Sequence, residues 1–271
     1  MTVLITGSTG LVGSRLLKRL LAEGVDCRAL IRPGKSVADK VAVVEGDLLD
    51  PATLADAVRG VTAIVHLAAT FRTQDEDLIW KANAEGTRNL IAAAQQYAPE
   101  ARFIMASTSN IYNKDTPRPS REDDEVAPVL AYPASKLEAE QALRASGLNW
   151  SILRLAFVYG DDDGHIDMVA NLVEQLGWHP ATRMSMVHHR DISTAVNLAL
   201  AGVMDQKVVN IVDDAPMTLY ELAALAGSPI APSAAPLENP WFLQADGRLS
   251  RELGFQPAVA TTYQSFREGT L

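Results

Sequence analysis

Short apolar runs, many of them β-branched, alternate along the first 160 positions with longer stretches in which apolar residues recur every three or four positions. Runs of the first kind predict strands over residues 3–6, 27–31, 41–45, 63–67, 102–106 and 151–155. Those of the second kind predict helices over 11–22, 51–58, 77–97 and 132–145. Strands and helices that take turns in this way build βαβ units around a parallel sheet. The regularity ends at residues 160–164, where Asp161, Asp162 and Asp163 between glycines read as a solvated loop. Beyond it, short helices at 192–201, 219–225 and 249–253 mix with strands near 184–188 and 208–212, the pattern of a small α+β lobe. Prolines at 117, 119 and 128, and again at 229, 232, 236 and 240, mark two irregular connections. The expected division is 1–160 for the sheet domain and 161–271 mainly for the smaller lobe, part of which can return to the sheet.

Composition narrows the function classes. The chain has 271 residues, 48% of them hydrophobic, enough to bury a core. Lys and Arg number 24 against 33 Asp and Glu, a net charge of −9 that argues against a nucleic-acid partner, whose binders present a basic face. Every apolar run is interrupted before the roughly 18 residues a membrane span requires. The single cysteine, Cys27, excludes an internal disulfide and a cysteine-rich zinc site. Met1 leads directly into Val3, Leu4 and Ile5 with no basic leader, so a soluble, cytoplasmic protein is expected.

The first strand runs straight into Gly7-Ser8-Thr9-Gly10-Leu11-Val12-Gly13, which opens the first helix. Gly7 permits a tight turn, Gly10 lets the backbone approach a pyrophosphate, and Gly13 lets helix and strand pack closely. The helix start adds unpaired N–H groups and partial positive charge. In this context the loop predicts dinucleotide binding and a Rossmann-type doubly wound sheet. Which dinucleotide depends on the end of the second strand. Asp26 has the spacing of a ribose-binding acid but precedes the strand, whereas Arg32 and Lys35 follow it, on the ligand side. Arg32, with Lys35 as a second charge, therefore predicts NADP in preference to NAD.

A second constellation carries chemistry. Tyr132 and Lys136 are spaced i, i+4, so the phenol and the ammonium share one face of a helix. The lysine charge is expected to lower the phenol pKa and let it exchange a proton with an alcohol or carbonyl. Ser107, Thr108 and Ser109 close a strand at the same sheet edge and offer hydroxyls to orient a carbonyl oxygen.

With these motifs the chain resembles the extended short-chain dehydrogenase/reductases, also called the NAD-dependent epimerase/dehydratase family. The resemblance takes in residues 6–13, Gly46-Asp47-Leu48, His66-Leu67-Ala68-Ala69, residues 83–90, Ser107-Thr108-Ser109, residues 132–136, 154–160 and 188–193, and residues 252–257. It implies that Asp47 and Leu48 contact the adenine, and that Leu67, Ala68 and Ala69 line the cofactor by their backbone. Ser107 and Ala156 are placed with the cofactor on the same ground. It further implies Tyr132 as acid/base, Thr108 on the reacting oxygen, Lys136 also on the nicotinamide ribose, and Asn83 in the active-site polar network. A homodimer packed through the helices near 77–97 and 132–145 is implied as well.

Departures from the family pattern shape the reaction. Members that dehydrate nucleotide sugars carry Asp-Glu after the catalytic Thr; Ser109 and Asn110 stand here and cannot supply an acid. Phe157 replaces the Asn that many nucleotide-sugar members place three residues after the arginine matched by Arg154. Thr70, Ser109, Tyr112, Phe157, Trp178 and Trp241 are candidates to touch a small-molecule substrate, although core packing explains Phe157 and both tryptophans equally well. His66, His188 and His189 have no metal-ligand spacing, so no metal is expected. The function expected is hydride transfer between a nicotinamide and a carbonyl or secondary alcohol. A nucleotide-sugar epimerase is the alternative, and a non-catalytic NAD(P)-sensing protein the reading from another class.

Overall fold

In the computed structural model, which describes residues 1–37 and 40–271, the alternation in the sequence becomes an alternation in space. The order is β1 (Thr2–Thr6), α1 (Leu11–Ala22), β2 (Asp26–Ile31), β3 (Ala42–Glu45), α2 (Leu54–Val58), β4 (Ala63–His66), α3 (Glu76–Trp80), α4 (Gly86–Tyr97), β5 (Arg102–Thr108), α5 (Ala131–Arg144) and β6 (Asn149–Leu155). It continues through β7 (Phe157–Tyr159), α6 (Val169–Leu176), β8 (Arg183–Met184), β9 (Met186–His188), α7 (His189–Leu200), β10 (Lys207–Ile211), β11 (Met217–Thr218), α8 (Leu219–Leu225), α9 (Arg248–Glu252) and α10 (Thr262–Glu268). The helix expected over 77–97 is interrupted by a π-helical turn, Lys81–Glu85. The strands β7 and β11 and the helices α6 and α10, none longer than eight residues, were not expected from the sequence.

Seven strands form one sheet in the order β10-β6-β5-β4-β1-β2-β3. Its pairs β1–β2, β1–β4, β2–β3 and β4–β5 are parallel, with Val3 beside Cys27 and Thr6 beside His66. The order reverses between β1 and β4, so the carboxyl ends of those two strands flank the crevice where such sheets bind ligands. The strands are apolar because both faces are covered: Leu4, Ile64, Phe103 and Ile152 pack with Leu54 and Leu90 from the helices in one cluster. Each such side chain contributes about 1.5–3 kcal/mol on burial. In α1 the buried Gly13, Leu16, Leu17 and Leu20 lie on one stripe and set that helix against the sheet.

The chain divides into two compact units, each assembled from several stretches. One comprises Met1–Ile111, Pro128–Leu153 and Val196–Val208; the other Tyr112–Ala127, Arg154–Ala195 and Val209–Leu271. The chain leaves the first unit at Tyr112, re-enters it at Pro128, leaves again at Arg154 and returns at Val196, where β10 adds to the sheet from beyond residue 160. The second unit has its own core, including Tyr159, Ile166, Val169, Met186, Leu219 and Leu222. Two small sheets accompany it, β7–β9 parallel and β8–β11 antiparallel. The acidic run there is not simply solvated. The Asp163 side chain is 1% exposed and accepts from His165 Nδ1 at 3.0 Å and His189 Nε2 at 2.8 Å. Asp161 and Asp162 adopt φ of 52° and 55° and donate their N–H groups to the carbonyls of Thr270 and Leu271.

One buried carboxyl of the second unit makes stability depend on pH. Asp213 is 4% exposed; Oδ1 accepts the Ala215 N–H at 3.3 Å, and Oδ2 has no hydrogen-bond partner. Burial, reinforced by Asp214 and Asp191, pushes its pKa up to about 8. The folded chain therefore holds this proton where the unfolded chain, at the ordinary value of about 3.9, has lost it. Its contribution to stability is greatest in acid and is lost as pH rises from about 4 towards 8. Asp213→Asn should raise Tm at pH 8 by about 2–4 °C more than at pH 5. Thermal melts at the two pH values read the difference; equal shifts would show that Asp213 is ionised in the fold.

Candidate active site

The turn from β1 to α1 is built on close backbone approach. Gly7 has φ of 73°, and a Cβ there would stand 2.6 Å from the Ala68 N and 2.8 Å from the Leu67 C. A Cβ on Gly13 would stand 2.1 Å from the Gly7 carbonyl oxygen. Neither position can carry a side chain without moving backbone. The N–H of Gly10 donates to the Gly7 carbonyl at 2.9 Å, and Gly10 caps α1 with no side chain. The first turn of α1 holds no acid, so the N–H groups of Leu11, Val12 and Gly13 are left for an anionic ligand; Thr9 sits within the same turn. Two buried hydroxyls at this sheet edge have no hydrogen-bond partner: Ser8 Oγ in the loop and Ser107 Oγ near the end of β5. Unpaired donors and hydroxyls beside a positive helix end fit the pyrophosphate and ribose of a dinucleotide.

The other expected cofactor residues fall at the carboxyl ends of neighbouring strands. Arg32 and Lys35 are exposed just past β2, in a turn closed by the Lys35 N–H to the Arg32 carbonyl at 3.0 Å. Asp26 lies at the opposite end of β2, where it accepts from Thr2 Oγ1 at 2.5 Å. Asp47 and Leu48 follow β3; the Asp47 carboxylate accepts the Leu49 N–H at 2.9 Å, and the Leu48 carbonyl accepts from Asn89 at 2.8 Å. Leu67, Ala68, Ala69 and Thr70 follow β4, with Ala69 exposed.

Helix α5 brings the reactive groups together. Tyr132 lies in its first turn and Lys136 one turn on, the latter 2% exposed. The Tyr132 hydroxyl is bonded to Thr108, at the end of β5. Thr108 Oγ1 accepts the N–H of Asn110 at 3.1 Å, which leaves its own proton for the phenol oxygen. Burial nevertheless pushes the Tyr132 pKa up to about 12, with Thr108 only partly opposing it. The i, i+4 spacing leads to the expectation that Lys136 lowers this pKa; desolvation of the phenolate is the larger influence in this fold and favours the protonated phenol. Lys136 is itself pulled down to about 8 by burial, against which Glu140, four residues on and 1% exposed, works to keep it charged. The Phe71 ring lies 5.5 Å from that of Tyr132.

Asn83 sits in the π turn, fully buried. Its Oδ1 accepts the Thr70 N–H at 2.7 Å, and its Nδ2 donates to the Thr70 carbonyl at 2.9 Å and to Ser135 Oγ at 3.1 Å. Thr70 is thus held through its backbone, and Ser109 follows Thr108 in a 3-10 turn. Ser135 and Glu140 had not been singled out from the sequence. Their positions one before and four after Lys136, on the same helix, were the available signal.

The remaining expected residues belong to the second unit and have partners there. The Tyr112 hydroxyl accepts from Arg154 at 3.0 Å and donates to Asn210 at 2.7 Å, so both its functions are engaged. The Ala156 N–H donates to the Ile211 carbonyl at 3.2 Å. Phe157 pairs in β7 with Met186 and lies 5.8 Å from the His165 ring. Trp178 meets Phe242 edge-on at 5.8 Å, and Trp241 is 38% exposed.

Comparison with known proteins agrees with this geometry. The sequence profile of the NAD dependent epimerase/dehydratase family matches residues 3–212. A dTDP-6-deoxy-L-talose 4-dehydrogenase (NAD(P)(+)) from Kitasatospora kifunensis is 30% identical over 94% of this chain and 90% of its own length. A 4-hydroxy-2-methyl-3-oxo-4-farnesyl-3,4-dihydroquinoline-1-oxide ketoreductase from Stigmatella aurantiaca is 32% identical over 60% of this chain, and the match spans about half (52%) of that relative's length. Among solved structures, a short-chain dehydrogenase/reductase superfamily protein from Agrobacterium tumefaciens with bound NAD superposes with a TM-score of 0.82. It is 24% identical, covering 99% of this chain and 95% of its own, a likeness of fold. Among the described residues, no helix is long and apolar enough to cross a membrane.

Gly13→Ala tests the loop. A Cβ 2.1 Å from the Gly7 oxygen must displace the turn, and the dissociation constants of NADH and NADPH should both rise by about tenfold or more, costing at least about 1.4 kcal/mol. Fluorescence titration reads this, and unchanged affinity would remove the loop from the nucleotide site.

Proposed function

Because the chain belongs to the NAD dependent epimerase/dehydratase family, we propose that it reduces a carbonyl, or oxidises the matching secondary alcohol, with NADP(H) preferred over NAD(H). The observation that carries this reading is the hydroxyl pair of Thr108 and Tyr132 beside a buried lysine. The bound nicotinamide supplies or accepts the hydride at carbon. When substrate enters, Thr108 turns its one proton from the phenol oxygen to the carbonyl oxygen as negative charge develops there. Tyr132, held protonated, is poised as the acid and delivers its phenolic proton to that oxygen; in the reverse direction its phenolate takes the proton from the alcohol. Lys136 is placed to offset the phenolate charge and to bond the ribose, and Asn83 fixes the backbone at Thr70 on the same side. Ser109 and Asn110 after Thr108 supply no acid for elimination, which supports redox chemistry over dehydration.

Exposed Arg32 and Lys35 at the carboxyl end of β2 support the NADP preference, since a guanidinium there can pair with a 2′-phosphate through two parallel bonds. A homodimer through α4 and α5 belongs to the same reading and is supported by the family resemblance. Supply of NADPH with a panel of aldehydes, ketones and nucleotide-linked keto sugars tests the activity. Net oxidation identifies a reductase, whereas sugar isomerisation without net oxidation would replace it by an epimerase.

Two variants sharpen the test. Tyr132→Phe should cut turnover by about 100-fold or more with NADPH affinity within about twofold of the parent; retained turnover would place the acid elsewhere. Arg32→Ala should raise the NADPH dissociation constant by about tenfold, as loss of a charge-assisted bond worth about 1.4 kcal/mol does, and leave NADH nearly unchanged. Equal effects on the two cofactors would take Arg32 off the 2′-phosphate.

A further inference from the structure

A buried histidine outside the reacting groups is placed between the glycine loop and α5. His66 ends β4 with no exposure, and both ring nitrogens are engaged: Nδ1 with Thr6 Oγ1 at 2.7 Å and Nε2 with Thr87 Oγ1 at 2.9 Å. Thr87, also fully buried, is bonded at 2.6 Å to the carbonyl of Asn83, in the π turn one helical turn earlier. Counting protons fixes every direction in this set. The Asn83 carbonyl can only accept, so Thr87 spends its one proton there, and His66 Nε2–H must donate to Thr87 Oγ1. The imidazole is neutral, because burial, with the Lys136 charge adding to it, pulls its pKa down to about 3. Nδ1 is then a bare acceptor and takes the Thr6 proton, while Thr6 Oγ1 accepts the Ala68 N–H at 3.3 Å.

The chain of bonds continues to the catalytic helix. Asn83 Nδ2 donates to Ser135 Oγ, and Ser135 donates to the Tyr132 carbonyl at 2.8 Å. Thr6 is the residue immediately before Gly7, so the two ends of the chain are the entry to the glycine loop and the first turn of α5.

We infer that His66 and Thr87 are positioning residues: with Thr6 they form a one-way buried hydrogen-bond chain that ties the strand entering the glycine loop to Asn83 and, through Ser135, to the turn bearing Tyr132. The inference rests on the proposed role of Tyr132. Proton transfer needs the phenol within hydrogen-bond reach of an oxygen whose place is set by the cofactor, so a tie between loop and helix fixes one relative to the other. No proton crosses His66 in this role. Its value lies in being bare on one side and protonated on the other, which neither glutamine nor a charged side chain reproduces with the same reach. The π turn contributes by bringing the Asn83 amide and carbonyl to opposite ends of the link, a use of such turns common at functional sites.

The test pairs kinetics with a spectroscopic reading that needs no variant to be active. Thr87→Val removes the hydroxyl and leaves His66 Nε2–H unpaired; Thr87→Ser keeps the bonds. Using NADPH and the best carbonyl substrate of the panel, kcat of Thr87→Val should fall about tenfold, with KM and the NADPH dissociation constant within about twofold. Thr87→Ser should return kcat to within about threefold of the parent. In the parent protein, long-range 1H–15N correlation should show His66 protonated at Nε2 and bare at Nδ1, the resonance assigned by its loss in His66→Gln. Unchanged kcat in Thr87→Val, even with a lowered Tm, or protonation at Nδ1 overturns the inference. If Thr87→Val fails to fold, the tautomer decides. Tyr132→Phe run in parallel separates the two failures: inactivity there with full turnover in Thr87→Val sinks the chain alone. Turnover retained in Tyr132→Phe removes the acid role instead and leaves the tautomer to judge the chain.

Discussion

The contact of the Gly7 backbone with the turn after β4 is the constraint from which the site follows. With 2.6 Å between a hypothetical Cβ and the Ala68 N, the loop and the turn touch through main chain alone. That contact fixes where β1 ends and how α1 departs, and Gly13 against the Gly7 oxygen fixes how closely α1 lies over the loop. The helix end is then aimed at the crevice where the strand order reverses. An anion-binding helix terminus is commonplace; one held by main-chain contact on two sides loses little freedom when it binds.

Around this rigid centre the first unit keeps several polar groups away from water. Lys136 and Glu140 are buried one turn apart, and a pair of that kind seldom adds stability over apolar residues of the same size. Desolvation lowers the lysine and raises the tyrosine, so the two pKa values are driven apart, to about 8 and about 12. A protonated phenol near an ammonium is suited to giving up a proton as an oxyanion forms beside it. The apolar surroundings that cost stability also strengthen each bond to that oxyanion.

Features set by neighbours in the chain were legible before any coordinates. The glycine spacing, the i, i+4 pair of Tyr132 and Lys136, and the alternation of strands and helices each follow from local geometry. The placement of Arg32 past β2 and Asp26 at its opposite end was legible too, because it needs only the direction of one strand. What depended on distant partners was not. Tyr112 reads as a substrate residue until Asn210, 98 positions away, takes its proton. Asp163 reads as solvated until His189 covers it from 26 positions on. The Tyr132 pKa turned on burial, which spacing does not report, and the π turn at Lys81–Glu85 was not read from the sequence. Composition allowed part of the last third to return to the sheet but did not mark Val196–Val208 as that part, because the return is a matter of pairing rather than composition.

Cys27 draws a practical consequence from the sheet. It lies in β2 beside Val3 of β1, 3% exposed, and burial together with Asp26 pushes its thiol up to about 11. A thiol so placed is neither nucleophilic nor reachable while the strand stays paired. As the chain's one cysteine, it makes the protein its own clock: the rate at which an alkylating reagent caps it counts the openings of the central sheet, without a label, a mutation or an assay for the substrate.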